Sequence, residues 1–355
     1  MRTRRASHDP ALGHGRRCYY ARRPGPGGGI LRPLVWKRLL LAFVIAAAIL
    51  LLLASRLDAT AVWRALAGVR WELLAVTGAI QALGLWLKAE RWTLAIAAGG
   101  RERPRARAFA ATVIGNAANL LVPARMGDVL RALVLRRHND VSASQALMAA
   151  WSVNLFDLVV VGLLLLASGS ALVPRRALAV VLLAGLLALG AMALAHARSD
   201  WARQLERRLL RGGAARLRAP LERARQGLRF LGHGGALAGV LGLTLLIWSC
   251  DVLSCLVAMH AFGIRLWLAP AALLVGAAAL SFAVPLTPGN LGIFQALCVL
   301  VLGAFGESAE RAFAFGLGAQ GFSLVASVAW GMALFHREGL DLAWLRRRQG
   351  SIIPP

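Results

Sequence analysis

The sequence predicts an all-α protein, a polytopic bundle of six to eight membrane-spanning helices with two re-entrant broken segments. Three observations predict it. Hydrophobic residues make up 58% of the 355-residue chain, and the mean hydropathy is +0.63, well above a soluble domain's usual share. Apolar stretches recur along the whole chain, several reaching the ~20 residues a helix needs to cross the hydrocarbon core. Two of these stretches, one in each half, are interrupted by matching Pro-x-x-x-Gly motifs (Pro123/Gly127 and Pro288/Gly292).

The apolar stretches run near 39–54, 71–89, 109–122, 142–169, 177–196, 235–262, 266–284, 291–305 and 312–335. Before them, residues 1–34 are rich in Arg, Gly and Pro without apolar periodicity, which predicts a disordered basic tail. An apolar run follows from Leu39, but Ala54-Ser55-Arg56 makes a poor cleavage site, so a retained first span is expected rather than an export signal. Residues 35–338 then form one membrane domain, and 339–355 a short C-terminal tail.

Topology follows from arginine placement. The 197–233 loop carries ten arginines against Asp200, Glu206 and Glu222, so it is expected on the cytoplasmic side, with both termini. The segments Lys88 to Arg107 and Arg125 to Arg137 are also basic. Both stay inside only if 109–122 enters the membrane and returns. The second half predicts the converse: 266–284 dips in from outside, breaks, and 291–305 returns. Six full spans and two hairpins entering from opposite faces result. Eight full spans are the alternative, and an inverted repeat would relate the halves. Arg175, Arg176 and Arg265 fall on the predicted outer side against this rule.

The formal charge of +25 does not point to nucleic acid. The basic residues lie between apolar segments, where they set topology and meet anionic headgroups, and no nucleic-acid module is present. Lys37 and Lys88 are the only lysines. Cys18, Cys250, Cys255 and Cys298 lack metal-ligand spacing, and no metal or cofactor is expected. No Gly-x-Ser-x-Gly, His-Glu-x-x-His, Gly-x-Gly-x-x-Gly or Walker loop occurs, so the chain reads as a non-enzyme with no catalytic residues.

Broken apolar segments in corresponding places mark a transporter's binding site, because freed backbone groups survive in a bilayer only against protein or a watery cavity. Candidate substrate-binding residues therefore surround the breaks: Arg125, Gly127, Asp128 and Arg131 in the first, Pro288, Gly289, Asn290, Gly292 and Gln295 in the second, with Asn116 and Asn119 nearby. Asp128 and Arg131 share a helix face. Either Asp128 caps a first turn and Arg131 is an ordinary surface arginine, or Arg125, Arg131 and the free N–H groups after Gly127 form an anion site suited to a lipid phosphate. Gln295 either lines a cavity or bonds one helix to another.

Asp157 and Asp251 sit mid-span, where a charge costs about 2.5–3.5 kcal/mol on insertion scales and is functional by default. The alternative is a structural bond between helices. Arg91, followed by Trp92, ends the second apolar stretch. It reads as an interfacial anchor, with Trp at the headgroups and Arg snorkelling, and otherwise as a further site residue. The two hairpins are expected to meet in a wet, partly cationic chamber at mid-depth.

Arg91-Trp92, the run Asn119-Leu-Leu-Val-Pro123-Ala-Arg-Met-Gly127-Asp128-Val-Leu-Arg131, the Asp157 span and Pro285-Leu-Thr-Pro288-Gly-Asn-Leu-Gly292 together resemble the lysylphosphatidylglycerol synthase transmembrane-region (flippase-like) family, over roughly residues 36–338. The resemblance implies a bacterial inner-membrane protein handling glycolipids, aminoacylated phospholipids or hopanoid-type lipids. It also implies that this chain, lacking the soluble aminoacyl-transferase domain of some relatives, does not synthesise lysyl-lipid. Gln295 stands where many relatives have Glu, and Asn154 where many have Arg three residues before the span aspartate. Both departures remove charge from the expected cavity.

The leading expectation is translocation of an amphiphilic anionic lipid. The second is a non-transporting partner that scaffolds a lipid-modifying enzyme or glycosyltransferase through the Arg-rich loop. A membrane-embedded transferase using Asp157 or Asp251 would lack a nucleophile-and-base pair or a metal set.

Overall fold

A computed structural model describes residues 31–98, 103–121, 126–138, 141–168, 174–197, 222, 226–283 and 287–340. Pro123, Arg125 and Pro285 lie outside the described residues, as do most of the 197–233 loop and both tails beyond Leu31 and Leu340. The fold among the described residues is helical throughout. In chain order the helices are α1 Leu31–Ala54, α2 Ala59–Ala67, α3 Trp71–Ala97, α4 Arg105–Leu121, α5 Met126–His138, α6 Ala143–Ala167, α7 Arg175–Ala197, α8 Gly234–Ala261, α9 Leu268–Ala283, α10 Ile293–Ala304 and α11 Ala309–Arg337.

Among the described residues, α3, α6, α8 and α11 are both long and apolar enough to cross a membrane, and the pair α1–α2, bent by 101°, makes a fifth span if counted as one. Fewer spans meet this test than the six to eight expected. Helix α7 is long enough at 23 residues, but its apolar run, Leu178–Leu194, is shorter than a full span. Large apolar side chains such as Leu51, Val180, Leu187, Leu245 and Val325 stand exposed on the outer surface. Such a surface is untenable in water and ordinary against lipid.

Helix α1 begins at Leu31, inside the stretch read as tail. Helix α2 was not anticipated. Asp58 caps it, accepting from the Thr60 amide at 2.9 Å and the Thr60 hydroxyl at 2.8 Å, as a helix N-cap should. The Thr60 hydroxyl, then its amide, hold the Asp58 carboxyl below its ordinary range.

The two hairpins enter from opposite faces. Phe109, near the start of α4, meets Trp330 near the end of α11 with ring centroids 5.4 Å apart. Arg137, at the end of α5, donates to the Gly339 carbonyl at 3.1 Å, just past α11. So α4 and α5 begin and end at the same face. The second hairpin does the reverse. Trp267, before α9, meets Phe305, after α10, at 6.1 Å. This end lies with the start of α3, because the Arg70 amide, just before α3, donates to Ala261 O at the end of α8.

The hairpin tips touch. A Cβ on Gly289 would lie 3.2 Å from Leu120 O, near the end of α4. Helix α1 backs the second tip, where a Cβ on Gly292 would lie 3.0 Å from Ala46 O. The first hairpin closes on Gly127: a Cβ there would lie 2.0 Å from Gly115 O, so only glycine lets α4 and α5 approach this closely. Gly127→Ala is expected to destabilise the protein by about 1–3 kcal/mol, the usual range for overpacking. The check is the thermal unfolding midpoint in detergent. Gly242→Ala in α8 is the control. Its Cβ meets nothing within 4 Å, and its midpoint should hold or rise.

Among the described residues two large buried apolar clusters sit at opposite ends, with a small third, Leu87, Ile247 and Cys250, besides them. One gathers Leu74, Met259, Phe262, Leu273, Leu302 and Phe315. The other gathers Trp92, Ile96, Ala149, Phe156, Phe230 and Leu340. The polar residues lie between them.

Candidate functional site

Between the cores is a cavity of about 1080 Å³ whose wall is mostly apolar. Lys88, Arg91 and Arg131 line it, and so do Asp128, Asp157 and Asp251. Three cations therefore face three carboxylates among the described lining residues. Among the described residues the chamber expected to be partly cationic is balanced, each cation sitting beside a carboxylate.

Arg91 is the most enclosed of these charges, with its side chain 5% exposed. Arg91 Nη1 donates to Asp157 Oδ1 at 2.6 Å and Nη2 to Asp157 Oδ2 at 2.9 Å. Nη1 also donates to Thr244 Oγ1 at 2.9 Å, and Trp248 Nε1 donates to Asp157 Oδ1 at 2.9 Å. This fork joins α3, α6 and α8. It overturns the interfacial-anchor expectation for Arg91, whose side chain is 5% exposed. Trp92 is buried as well, its indole N–H donating to Ala146 O at 3.0 Å. The reason is that α3 does not end at residue 89, where hydropathy falls, but runs on to Ala97.

The second pair joins Lys88 and Asp251, with Nζ 3.2 Å from Oδ2 and 3.4 Å from Oδ1. Lys88 precedes Arg91 by three residues and shares its helix face. In the third pair, Arg131 Nη2 lies 3.3 Å from Asp128 Oδ1, and the Arg131 guanidinium stacks 5.1 Å above the Trp92 ring. Asn119 Oδ1 accepts from the Gly127 amide at 2.8 Å, and its Nδ2 donates to Asp128 at 3.4 Å. The start of α5 is thus already served by Asn119, and Asp128 places a carboxylate there. Both limit the free N–H anion site that the spacing suggested. Arg125, its other proposed arm, lies outside the described residues.

At the second tip the residues divide. Gly289 and Asn290 line the cavity, both in left-handed backbone at φ 55° and 61°, where Gly and Asn are the tolerated residues. Pro288, Gly292 and Gln295 are not among the lining residues. Gln295, fully buried, accepts from the Gly292 amide at 2.7 Å and donates to Gly316 O at 3.2 Å and Gln320 Oε1 at 2.7 Å. Gln320 in turn donates to Gly289 O at 2.8 Å. Of the two readings of Gln295, the geometry takes the one that bonds helix to helix. This network answers the backbone groups freed by the break.

Lys88, Thr244, Trp248 and Gln320 were missed as site residues. The readable signal was Lys88 itself, one of two lysines and three residues before Arg91. Arg91 Nε, Thr112 Oγ1 and Asn290 Oδ1 are buried polar atoms without a protein partner, and all three residues line the cavity. Ser281 Oγ donates to Ala278 O and receives the Asn290 Nδ2 donor. That network fixes the Asn290 amide so that Oδ1 is the atom left open. No group of three or more His, Cys, Asp or Glu with metal-binding geometry occurs among the described residues.

Residues 39–331 match the family described as the lysylphosphatidylglycerol synthase TM region. The chain belongs to this family. Membership and the helical spans together establish a multi-pass membrane protein of the lysylphosphatidylglycerol synthase TM region family. Comparison with curated proteins and with solved structures gave no match. In this family member the span aspartate draws its arginine from α3, through Arg91, while Asn154 one turn before it also lines the cavity.

Proposed function

We propose that this family member moves an amphiphilic lipid with a phosphate-bearing headgroup across the bacterial inner membrane, acting as a carrier rather than an enzyme. The observation that carries the reading is a cavity of about 1080 Å³, mostly apolar but holding three ion pairs, with the tips of two hairpins from opposite faces in its wall. Three residues that line it, Arg91, Thr112 and Asn290, each carry a buried polar atom without a protein hydrogen-bond partner. Acyl chains remain in lipid while the headgroup crosses between the tips. The basic end, with Arg103, Arg105, Arg107 and Arg137 exposed, lies on the cytoplasmic side by the positive-inside rule.

Arg131 lines the cavity at the first tip and carries a guanidinium suited to grip phosphate. Arg131→Gln keeps a hydrogen-bonding group toward Asp128 and removes the charge. In proteoliposomes, headgroup-labelled phospholipid should cross about tenfold more slowly in this variant, with size-exclusion behaviour unchanged. Transfer at the wild-type rate would refute Arg131's role. Absence of transfer by the wild-type protein for every lipid tried would refute the carrier reading.

A further inference from the structure

We propose that Asp251 sets the charge selectivity of the cavity, by holding Lys88 in the lining ion pair that a headgroup opens most readily. This rests on the lipid-carrier reading and names what selects within it.

The three lining pairs differ in how firmly they are held. Asp157 takes both Arg91 nitrogens and the Trp248 indole, and Arg91 is nearly sealed at 5% exposure. Asp128 has Arg131 and Asn119, and that pair is 14% and 10% exposed. Lys88 and Asp251 are the most exposed of the three pairs, at 37% and 28%, and they meet at 3.2 and 3.4 Å with no further side-chain donor shared between them. A lysine ammonium is a point charge on a flexible stem and exchanges acceptors without the fixed fork of arginine. Its three N–H donors exceed what one carboxylate uses. A headgroup phosphate entering the cavity therefore reaches Lys88 with the least disruption of the wall.

The carboxylate left behind decides which headgroup is accepted. Asp251 makes the described lining neutral, three cations against three carboxylates. A purely anionic headgroup that takes Lys88 strands Asp251 at mid-depth, where an uncompensated charge is costly. A headgroup with its own cation, or none of net charge, does not. Removing the carboxylate tips the lining to a net positive charge and removing the amine tips it negative. The two single changes must shift selectivity in opposite directions, and together they must cancel. A pair that only ties α3 to α8 predicts something else: both single changes weaken binding of every lipid alike, and the double change does not restore it.

The test uses the full chain in detergent with an equimolar mixture of phosphatidylglycerol, phosphatidylcholine and a trimethylammonium lipid, the retained lipid being quantified by mass spectrometry. Asp251→Asn should raise the phosphatidylglycerol-to-phosphatidylcholine ratio about tenfold, equivalent to about 1.4 kcal/mol. Lys88→Gln should move the balance by a similar factor toward the trimethylammonium lipid. The double variant should return to the wild-type ratio. If Asp251→Asn fails to fold, Lys88→Gln carries the same test with the opposite sign. Identical ratios in all the folded proteins overturn the selectivity assignment alone. A wild-type protein that retains none of the three lipids overturns the lipid reading beneath it.

Discussion

Asp157→Ala is expected to cost about 3–5 kcal/mol of stability, the range for removing one partner of a buried ion pair. The carboxylate is the meeting point of three helices. It takes both terminal nitrogens of Arg91 from α3 and the indole N–H of Trp248 from α8 while belonging to α6. Without it Arg91, 5% exposed, keeps only the Thr244 hydroxyl among the partners described above. An arginine cannot discharge itself by losing a proton, so the cost falls on packing. Asp157→Asn should cost less, since its carbonyl still accepts from one Arg91 nitrogen. The double variant Arg91→Met/Asp157→Leu should recover much of the loss, because well-packed apolar replacements for a buried pair are often neutral or better. Thermal midpoints and monodispersity in detergent measure all three. A single-alanine variant within about 1 kcal/mol of wild type would show that water, not the protein, compensates Arg91.

The same pair shows what was legible in the sequence and what was not. The hairpins were legible because proline and glycine interrupt apolar runs, and because two basic segments flanking 109–122 cannot both stay inside unless that segment returns. The observed bounds, Arg105–Leu121 and Met126–His138, then Leu268–Ala283 and Ile293–Ala304, agree with the expected breaks to within a few residues. The cavity charges were legible one at a time. Asp128, Arg131, Asp157 and Asp251 stand out as charges beside or within apolar runs, and all line the cavity.

Pairing was not legible, because a partner on another helix leaves no spacing to read. Lys88 and Arg91 were misplaced for a physical reason. Hydropathy falls where charges begin, so it ends α3 at its first charged turn, although the helix runs about two turns further to Ala97. Trp92 and Arg91 then resemble a headgroup anchor, when they are interior residues whose partners bring the polarity with them. The expectation of a partly cationic chamber did not carry the pairing either: among the described lining residues an aspartate stands against each cation. Helix α2 was not assigned because its nine residues, Arg64 among them and none buried, make no apolar stretch of spanning length.

Gln295→Glu is the second change with a large expected effect, and it addresses the departure from the pattern that the family resemblance implies. Gln295 is fully buried and uses both ends of its amide. Its oxygen accepts from the Gly292 amide, and its nitrogen donates to two acceptors, Gly316 O and Gln320 Oε1. A glutamate keeps the first bond and turns the second end into an oxygen facing two oxygens. Gln320 can reverse its own amide to meet it, but then withdraws the donor that holds Gly289 O, a carbonyl at the hairpin tip. The network therefore loses a bond whichever way it relaxes. A buried group left unsatisfied costs about 1–3 kcal/mol, and more if charged. A lowered thermal midpoint should appear together with faster cysteine labelling at Asn290→Cys, as the tip loosens. Gln320→Glu, which puts an oxygen opposite Gly289 O instead, should loosen the same tip. If Gln295→Glu matches wild type in both readouts, a cation from outside the network answers the new carboxylate. The second hairpin would then be able to carry a charge where this chain has an amide.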